Sequence, residues 1–471
     1  MSAYSLTIRE AQLAEIKAFL IRPDHAEHAA YLLCRTASIG HDPWDRNKQI
    51  KLLVREVVPV SDADIIEASP GHVTWLTRSL ASALKLAEAD GSIVAIVHTH
   101  PAGHDNFSSQ DDINEPDLLQ MVQNRNGPEA ILPSIVLTAA GVLVGRVWER
   151  PKQYASMRLI RVYGDEFRLF YQGRGQGVSQ REFHRQELAF GKALNQDLSM
   201  LRVAIVGCGG TGSGMALLLA RLGIGQLLLI DNDVVEDTNL NRLHTARRQD
   251  ADAMMPKVEA AKRTITEMAL GVRVVAISAW AGEKVCRDAL RACDIIFCCT
   301  DDNEGRLFLN RFAYFYLTPV IDIGLAMEVS EDTPPVFMAL DGRVTVLLPG
   351  CTCIACRGIV SSALAAEEGL RRNRPETYER MKAERYIIGG GAPNPAVVTF
   401  TTELATMAAN EMLQRFTGFR GAKAATANRL RKFALGEDVI AGARSKVGCP
   451  VCNEEVYWGR GDMEPFMDRM E

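Results

Sequence analysis

The stretch from Leu201 to Arg242, LRVAIVGCGGTGSGMALLLARLGIGQLLLIDNDVVEDTNLNR, constrains this chain more than any other. An apolar run at 203–206 breaks into glycines, continues as a small-residue helical segment at 215–222, and returns as a second apolar run at 227–230. Strand, tight turn, helix and strand in that order predict one unit of a parallel α/β sheet. Gly207, Gly209, Gly210 and Gly212 let the backbone come close to a phosphate, whose charge meets the open N–H groups at the start of the helix. Asp231 stands at the mouth of the next strand, where a carboxylate can accept from ribose hydroxyls. The turn alone fits a dinucleotide or ATP.

The residues that follow separate those two ligands. Asp231 and Asp233, Asn239, Asn241 and Arg242, Lys257, Asp301 and Arg306 are cations, amides and carboxylates strung over successive strand ends. Hydride transfer develops little charge on the phosphates and needs no such cluster. Adenylation does, because cations must neutralise a triphosphate under attack and an acid must hold the bridging magnesium.

The order and spacing of these motifs resemble the ThiF/MoeB/HesA family, bacterial relatives of ubiquitin-activating enzymes, over residues 185–452. The resemblance implies ATP- and Mg²⁺-dependent adenylation of the C-terminal glycine of a ubiquitin-like protein. It makes Asp231 the ribose ligand, Asn239, Arg242 and Lys257 the triphosphate ligands, with Asp233 beside them, and Asp301 the magnesium carboxylate. Arg185, in His184-Arg185-Gln186, resembles the family's arginine that reaches the partner's phosphates in a homodimer.

Two further groups have metal spacing. His98-Thr99-His100-Pro101 ends an apolar strand, and six residues later comes Ser108-Ser109-Gln110-Asp111. Histidines two apart on a strand point the same way, and the acid completes a three-ligand zinc site with one position open for water. The pattern resembles the JAB/MPN (JAMM) metalloprotease family, which cuts peptide or isopeptide bonds after ubiquitin-like proteins. That resemblance implies a glutamate as general base, for which Glu27 is the first candidate and Glu56 the second, and a serine, Ser108, at the oxyanion. His104 reads as a loop residue. Cys353-Ile354-Ala355-Cys356 and Cys449-Pro450-Val451-Cys452 form two CxxC knuckles, which predict a closed, structural four-thiolate zinc site; a redox pair is the other reading. Cys351 stands outside the knuckle.

The domain organisation expected is a JAB/MPN-like α/β domain at 1–155, a linker at 156–180, and a Rossmann-like adenylation domain at 181–471 that includes the zinc segment. Net charge is −5 with the signs interspersed, so no electrostatic footprint for nucleic acid appears. No apolar run approaches the ~18 residues of a membrane span, and the charged N-terminus lacks a signal peptide's apolar region, so the expected place is the cytoplasm.

Conjugating relatives carry a nucleophilic cysteine in the crossover stretch, which here is 357–395 and contains none. Three explanations stand: the reaction stops at the adenylate, a cysteine elsewhere serves, or a hydroxyl of Ser361, Ser362 or Thr377 takes the acyl group. The basic segment 370–385 reads as a lid or protein-contact element. The partner expected is a ubiquitin-like protein, with an E2-like conjugating protein beyond it. The alternative is MoeB-like activation of a sulfur-carrier protein or peptide in biosynthesis, with the JAB domain maturing the carrier.

Overall fold

The computed structural model describes residues 3–101, 105–173, 181–330, 332–333, 336–383, 395–421, 423–453 and 455–468. It divides into two compact units: Met1–Gly177 with Phe315–Leu317 and Val456–Glu471, and Val178–Tyr314 with Thr318–Glu455.

The first unit contains β1 (Ala3–Arg9), β2 (Ala29–Ile39), β3 (Gln49–Pro59), β4 (Ile65–Ser69), β5 (His72–Trp75), β6 (Ile93–His100), β7 (Leu132–Thr138), β8 (Leu143–Arg150), β9 (Gln153–Tyr163) and β10 (Phe167–Tyr171). The main sheet runs β1-β3-β2-β6-β7-β8-β9-β10, and β1 also pairs with β9, so seven strands close on themselves. Alternation decides which residue meets which layer. In β2, Ala30, Leu32 and Cys34 join the core that also holds Leu13 and Ile16 of helix Glu10–Leu20. Ala29, Tyr31 and Leu33 join the other core, with Leu80, Ala83, Leu84 and Ala87 of helix Thr77–Asp90 and Leu119 and Val122 of helix Ser109–Asn126. Each buried leucine of that helical stripe contributes roughly 1.5–3 kcal/mol.

Helix Thr77–Asp90 begins only after β-branched and aromatic Val73, Thr74 and Trp75, which pair with β4 as a small hairpin. Two stretches differ from the sequence reading. Residues 156–171, expected as linker, are ladder-bonded: β9 pairs with β1 and β10. Their hydrophobes, Met157, Leu159, Ile160 and Val162, are buried, which makes this stretch part of the sheet. The terminal residues 456–468, expected with the second domain, belong to the first unit: Asp462 N–H donates to the Thr36 carbonyl at 2.8 Å and Arg35 Nε to that of Arg460 at 3.3 Å.

The second unit contains β11 (Arg202–Val206), β12 (Gln226–Ile230), β13 (Arg273–Ile277), β14 (Ile295–Cys298), β15 (Val320–Val329), β16 (Phe337–Leu347), β17 (Asn428–Lys432) and β18 (Glu437–Ile440). Their order is β13-β12-β11-β14-β15-β16-β17-β18, parallel through β15 and antiparallel beyond it. The order reverses at β11, so a crevice opens between the strand ends of β11 and β14, the ordinary ligand position of such sheets. Helices His184–Phe190 and Lys192–Met200 lead into β11 and meet at Gly191, whose φ of 82° no helix continues through. No described helix is long and apolar enough to cross a membrane.

Candidate functional sites

In the first unit the histidine cavity forms where β6 ends. His98 and His100 share the parity of Val94 and Ile96 and therefore face the layer of helix Ser109–Asn126. Pro101 follows at once and cannot extend the ladder. Ser108 is the N-cap of that helix and Asp111 its third residue, and they form a reciprocal box: Asp111 N–H donates to Ser108 Oγ at 3.2 Å and Ser108 N–H to Asp111 Oδ2 at 2.7 Å. The cap thereby holds the Asp111 carboxylate towards the histidines. His98 Nε2 and His100 Nε2 lie 3.1 Å apart, and each lies 3.3 Å from an Asp111 oxygen. Ligand atoms at zinc–nitrogen and zinc–oxygen distances of about 2.0–2.1 Å in a tetrahedron stand about 3.3 Å apart. These three residues therefore fit a divalent ion, and His100 Nδ1, 2.9 Å from the Asn106 carbonyl, has the outer partner that sets ring orientation.

Glu27 lines the same cavity, of about 370 Å³, two residues before the Ala29–His98 pair of β2 and β6. Its N–H donates to the Ser69 carbonyl at 2.8 Å. Burial pushes the Glu27 carboxyl up, against the pull of the two histidines. Asp111 would also be raised by burial, yet hydrogen bonds from His100 and His98 hold it well below the usual range. Glu56, the second candidate, is exposed on β3 and does not line the cavity. Ser108 does line it, but its hydroxyl donates to Asp111 Oδ2 at 2.8 Å, so as placed it orients a ligand. His104 lies outside the described residues. The hairpin residues His72, Thr74 and Trp75 also border the cavity; only their β-branched and aromatic character signals them in the sequence, and it signals a strand.

In the second unit the charged cavity, of about 570 Å³, lies at the strand ends of β11, β12 and β14. Gly207 has φ +89° and a Cβ there would meet the backbone of Cys299 and Thr300 at 2.7 Å, so only glycine serves. Gly207, Gly209 and Gly210 line the cavity; Gly212 does not. A Cβ at Gly212 would stand 1.8 Å from the Gly207 carbonyl oxygen, so that glycine lets the helix approach the turn. Asp231 is held by the turn itself: Cys208 N–H donates to its Oδ2 at 2.6 Å and Asp233 N–H to its Oδ1 at 2.8 Å. Burial raises the Asp231 carboxyl against the pull of Lys257. Lys257 Nζ donates to Asp233 Oδ2 at 2.7 Å; burial alone would lower it, but Asp231 and Asp233 raise it.

Arg242 and Asp301 complete the set brought together here. Asn239 is not among them: its amide oxygen accepts from Glu236 N–H at 3.0 Å and its Nδ2 contacts Thr238 Oγ1, capping its own turn. Arg185 is exposed on its short helix and does not line the cavity. Trp280, Glu368, Arg371 and Arg372 line it as well; the two arginines fall in the basic segment 370–385, whereas sequence reasoning did not select Trp280 and Glu368. The i, i+4 spacing of Glu368 and Arg372 was the available signal.

The four knuckle cysteines converge. Sγ–Sγ separations are 3.9 Å for Cys353 and Cys449, 3.7 Å for Cys356 and Cys452, and 3.8 Å for Cys449 and Cys452. Tetrahedral thiolates at about 2.3 Å from zinc stand about 3.8 Å apart, so the cluster fits a structural ion. Lys446 N–H donates to Cys356 Sγ at 3.3 Å and Cys356 N–H to Cys353 Sγ at 3.5 Å, as thiolates require. Cys351 is outside the cluster.

Fold and cavities together define a two-unit α/β protein, one unit a closed sheet with a His-His-Asp cluster and the other a doubly wound sheet with a glycine turn under a charged cavity. The pattern described as ThiF family matches residues 183–450, and that described as prokaryotic homologs of the JAB domain matches 9–159. The chain belongs to the ThiF family and carries an N-terminal JAB domain. It is similar to the sulfur carrier protein ThiS adenylyltransferase of Escherichia coli (strain K12), 30% identical over 158 residues, covering 32% of this chain and 62% of that one. It is also similar to ubiquitin-like modifier-activating enzyme 5 of Arabidopsis thaliana, 32% identical over 171 residues, covering 33% and 37%. The chain thus spans less than two thirds of the curated relatives it matches. Among solved structures, E. coli MccB with succinimide is similar at 18% identity and a TM-score of 0.44, covering 58% of this chain and 75% of that one.

Proposed function

We propose that the charged cavity binds ATP and adenylates the C-terminal glycine of a ubiquitin-like protein, and that the histidine cavity cleaves the peptide or isopeptide bond after the same protein. The observation that carries the first half is the convergence of Gly207, Gly209, Gly210, Asp231, Arg242, Lys257 and Asp301 on one cavity. The turn and the helix start offer N–H groups to phosphates, and Asp231 offers acceptor lone pairs to ribose. The substrate carboxylate attacks the α-phosphorus, the bond to the bridging oxygen breaks, and pyrophosphate leaves with the electron pair. Arg242 and Lys257 stabilise the charge that develops there. Asp301 is the carboxylate that would hold Mg²⁺, which when bound neutralises phosphate charge.

In the histidine cavity His98, His100 and Asp111 would hold Zn²⁺, which when bound polarises water and the scissile carbonyl. Glu27, raised by burial, takes the proton of the attacking water and returns it to the leaving amine. The second zinc belongs to Cys353, Cys356, Cys449 and Cys452. In this reading the protein is a cytoplasmic homodimer in which Arg185, away from its own cavity, serves the partner's phosphates, and an E2-like protein receives the activated chain. Because a ThiS adenylyltransferase is among its relatives, activation of a sulfur-carrier protein, matured by the JAB domain, is the second reading.

Pyrophosphate exchange into ATP, driven by a ubiquitin-like protein ending in glycine, tests the first half. Asp301→Ala and Arg242→Ala should each abolish exchange in a folded protein; undiminished exchange in both removes the assignment. Genes beside this one separate the readings, an E2-like protein favouring conjugation and a sulfurtransferase favouring biosynthesis.

A further inference from the structure

One wall of the charged cavity comes from helix Ser362–Asn373, which lies in the crossover stretch between the first knuckle and helix Val398–Thr417. Its docking onto the start of helix Asn303–Phe315 is specific. Glu368 accepts from Asn303 Nδ2 at 3.1 Å and from Glu304 N–H at 2.9 Å, while Asn303 Oδ1 accepts from Ser361 N–H at 3.0 Å. Arg372 donates to Glu304 at 2.8 Å and its guanidinium lies 3.7 Å over the Trp280 ring. Gly369 sits where a Cβ would stand 3.0 Å from the Glu304 carboxylate, so it admits the close approach.

This docking delivers a cation that no described residue pairs with. Among the described residues five basic side chains line the cavity: Arg242, Lys257, Arg306, Arg371 and Arg372. Lys257 is paired with Asp233, Arg372 with Glu304, and Arg306 with Asp322 and two carbonyls. Arg242 donates to the Thr238 carbonyl at 2.6 Å. Among the described residues Arg371 has neither an acid nor a hydrogen-bond partner. Five acidic side chains among the described residues also line the cavity, Asp231, Asp233, Asp301, Asp302 and Glu368, so the described lining has a formal charge of zero. A triphosphate remains an anion with one magnesium ion bound, and in a partly enclosed cavity it needs a cation not already neutralised.

We propose that Arg371 is a further phosphate-binding residue, with Glu368 and Arg372 as the positioning residues that hold it at the cavity. The proposal rests on the reading of the charged cavity as an ATP site. Calorimetric titration of the full chain with MgATP and with adenosine tests it. Arg371→Ala should weaken MgATP by about tenfold or more and leave adenosine unchanged. Arg371→Lys should recover part of that loss, because it restores a point charge without the planar fork. Glu368→Gln should also weaken MgATP, and its effect should shrink in the Arg371→Ala background, since it acts through that arginine.

If the wild-type chain binds no MgATP, the ATP reading itself falls. If Arg242→Ala is weakened while Arg371→Ala binds MgATP like wild type, the ATP reading stands and Arg371 is not a ligand. An equal loss for MgATP and adenosine, or a loss that lysine does not relieve, makes Arg371 a mere part of the wall and overturns the proposal. Full additivity of Glu368→Gln and Arg371→Ala removes the positioning role.

Discussion

The histidine cavity and the charged cavity are organised in opposite ways. In the first, the ligands come from one strand end and one helix start, His100 and Asp111 standing eleven residues apart in sequence, and the box between Ser108 and Asp111 holds the carboxylate in place. In the second, side chains from the ends of three strands, the loops between them and a helix more than sixty residues beyond β14 are gathered around a larger space. Among the described lining residues one ion pair joins two of them, Lys257 and Asp233, and other charges there bond backbone groups or acids outside the lining. A small ion needs few ligands at fixed separations, whereas a large anion needs a field spread over many groups. The first can be made locally; the second requires a sheet.

The largest expected effect is on metal content. His98→Ala with His100→Ala should remove the zinc of the first unit and leave that of the knuckle, and Cys353→Ser with Cys449→Ser should do the reverse. Plasma emission analysis should read two zinc ions per chain falling to one in each variant. A single ion per chain that survives the histidine changes breaks the comparison at its root.

Next in size, Glu27→Gln should retain the zinc yet cleave a ubiquitin-like fusion about 10²–10⁴-fold more slowly, because it removes proton transfer alone. Unchanged cleavage would make Glu27 a bystander of the cavity. Ser108→Ala should be smaller, with zinc affinity down about 10- to 100-fold and stability down by ~1 kcal/mol from the lost cap. Chelator competition and a thermal melt read the two separately. A variant that loses cleavage with zinc affinity intact would instead mark Ser108 as an oxyanion donor.

The smallest expected signal is an absence of signal: with ATP and the ubiquitin-like protein the chain should form an adenylate but no thiol-sensitive adduct. Ser361, Ser362 and Thr377 do not line the charged cavity, and Ser361 Oγ accepts from Leu364 N–H as a helix cap. Cys299 does line it, but burial pushes its thiol up, as it does that of Cys208 in the glycine turn. A band released by dithiothreitol and lost on changing one cysteine would identify a nucleophile in the larger cavity. One resistant to thiol but cleaved by hydroxylamine would identify a hydroxyl. Residues 384–394 of the crossover stretch lie outside the described residues.

What the sequence determined by itself is whatever a short spacing and a backbone period can settle. Two histidines two apart on a strand share a face, a capping box orients Asp111 within one turn, and a CxxC knuckle puts two sulfurs on one metal. The βαβ order likewise brings Gly207, Asp231 and Asp301 to the same edge of a parallel sheet, because every parallel strand presents its end there. Tertiary structure alone decided which side chains at that edge face the cavity. Asn239 turned back to cap its own 3-10 turn, since a buried amide takes the nearest backbone partner. Gly212 became a packing contact, Arg371 reached the cavity on a helix docked through Glu368, and residues 156–171 became strands whose hydrophobes are buried in the sheet. Each depends on partners far away in sequence, and such contacts are chosen by packing and hydrogen-bond satisfaction over the whole unit.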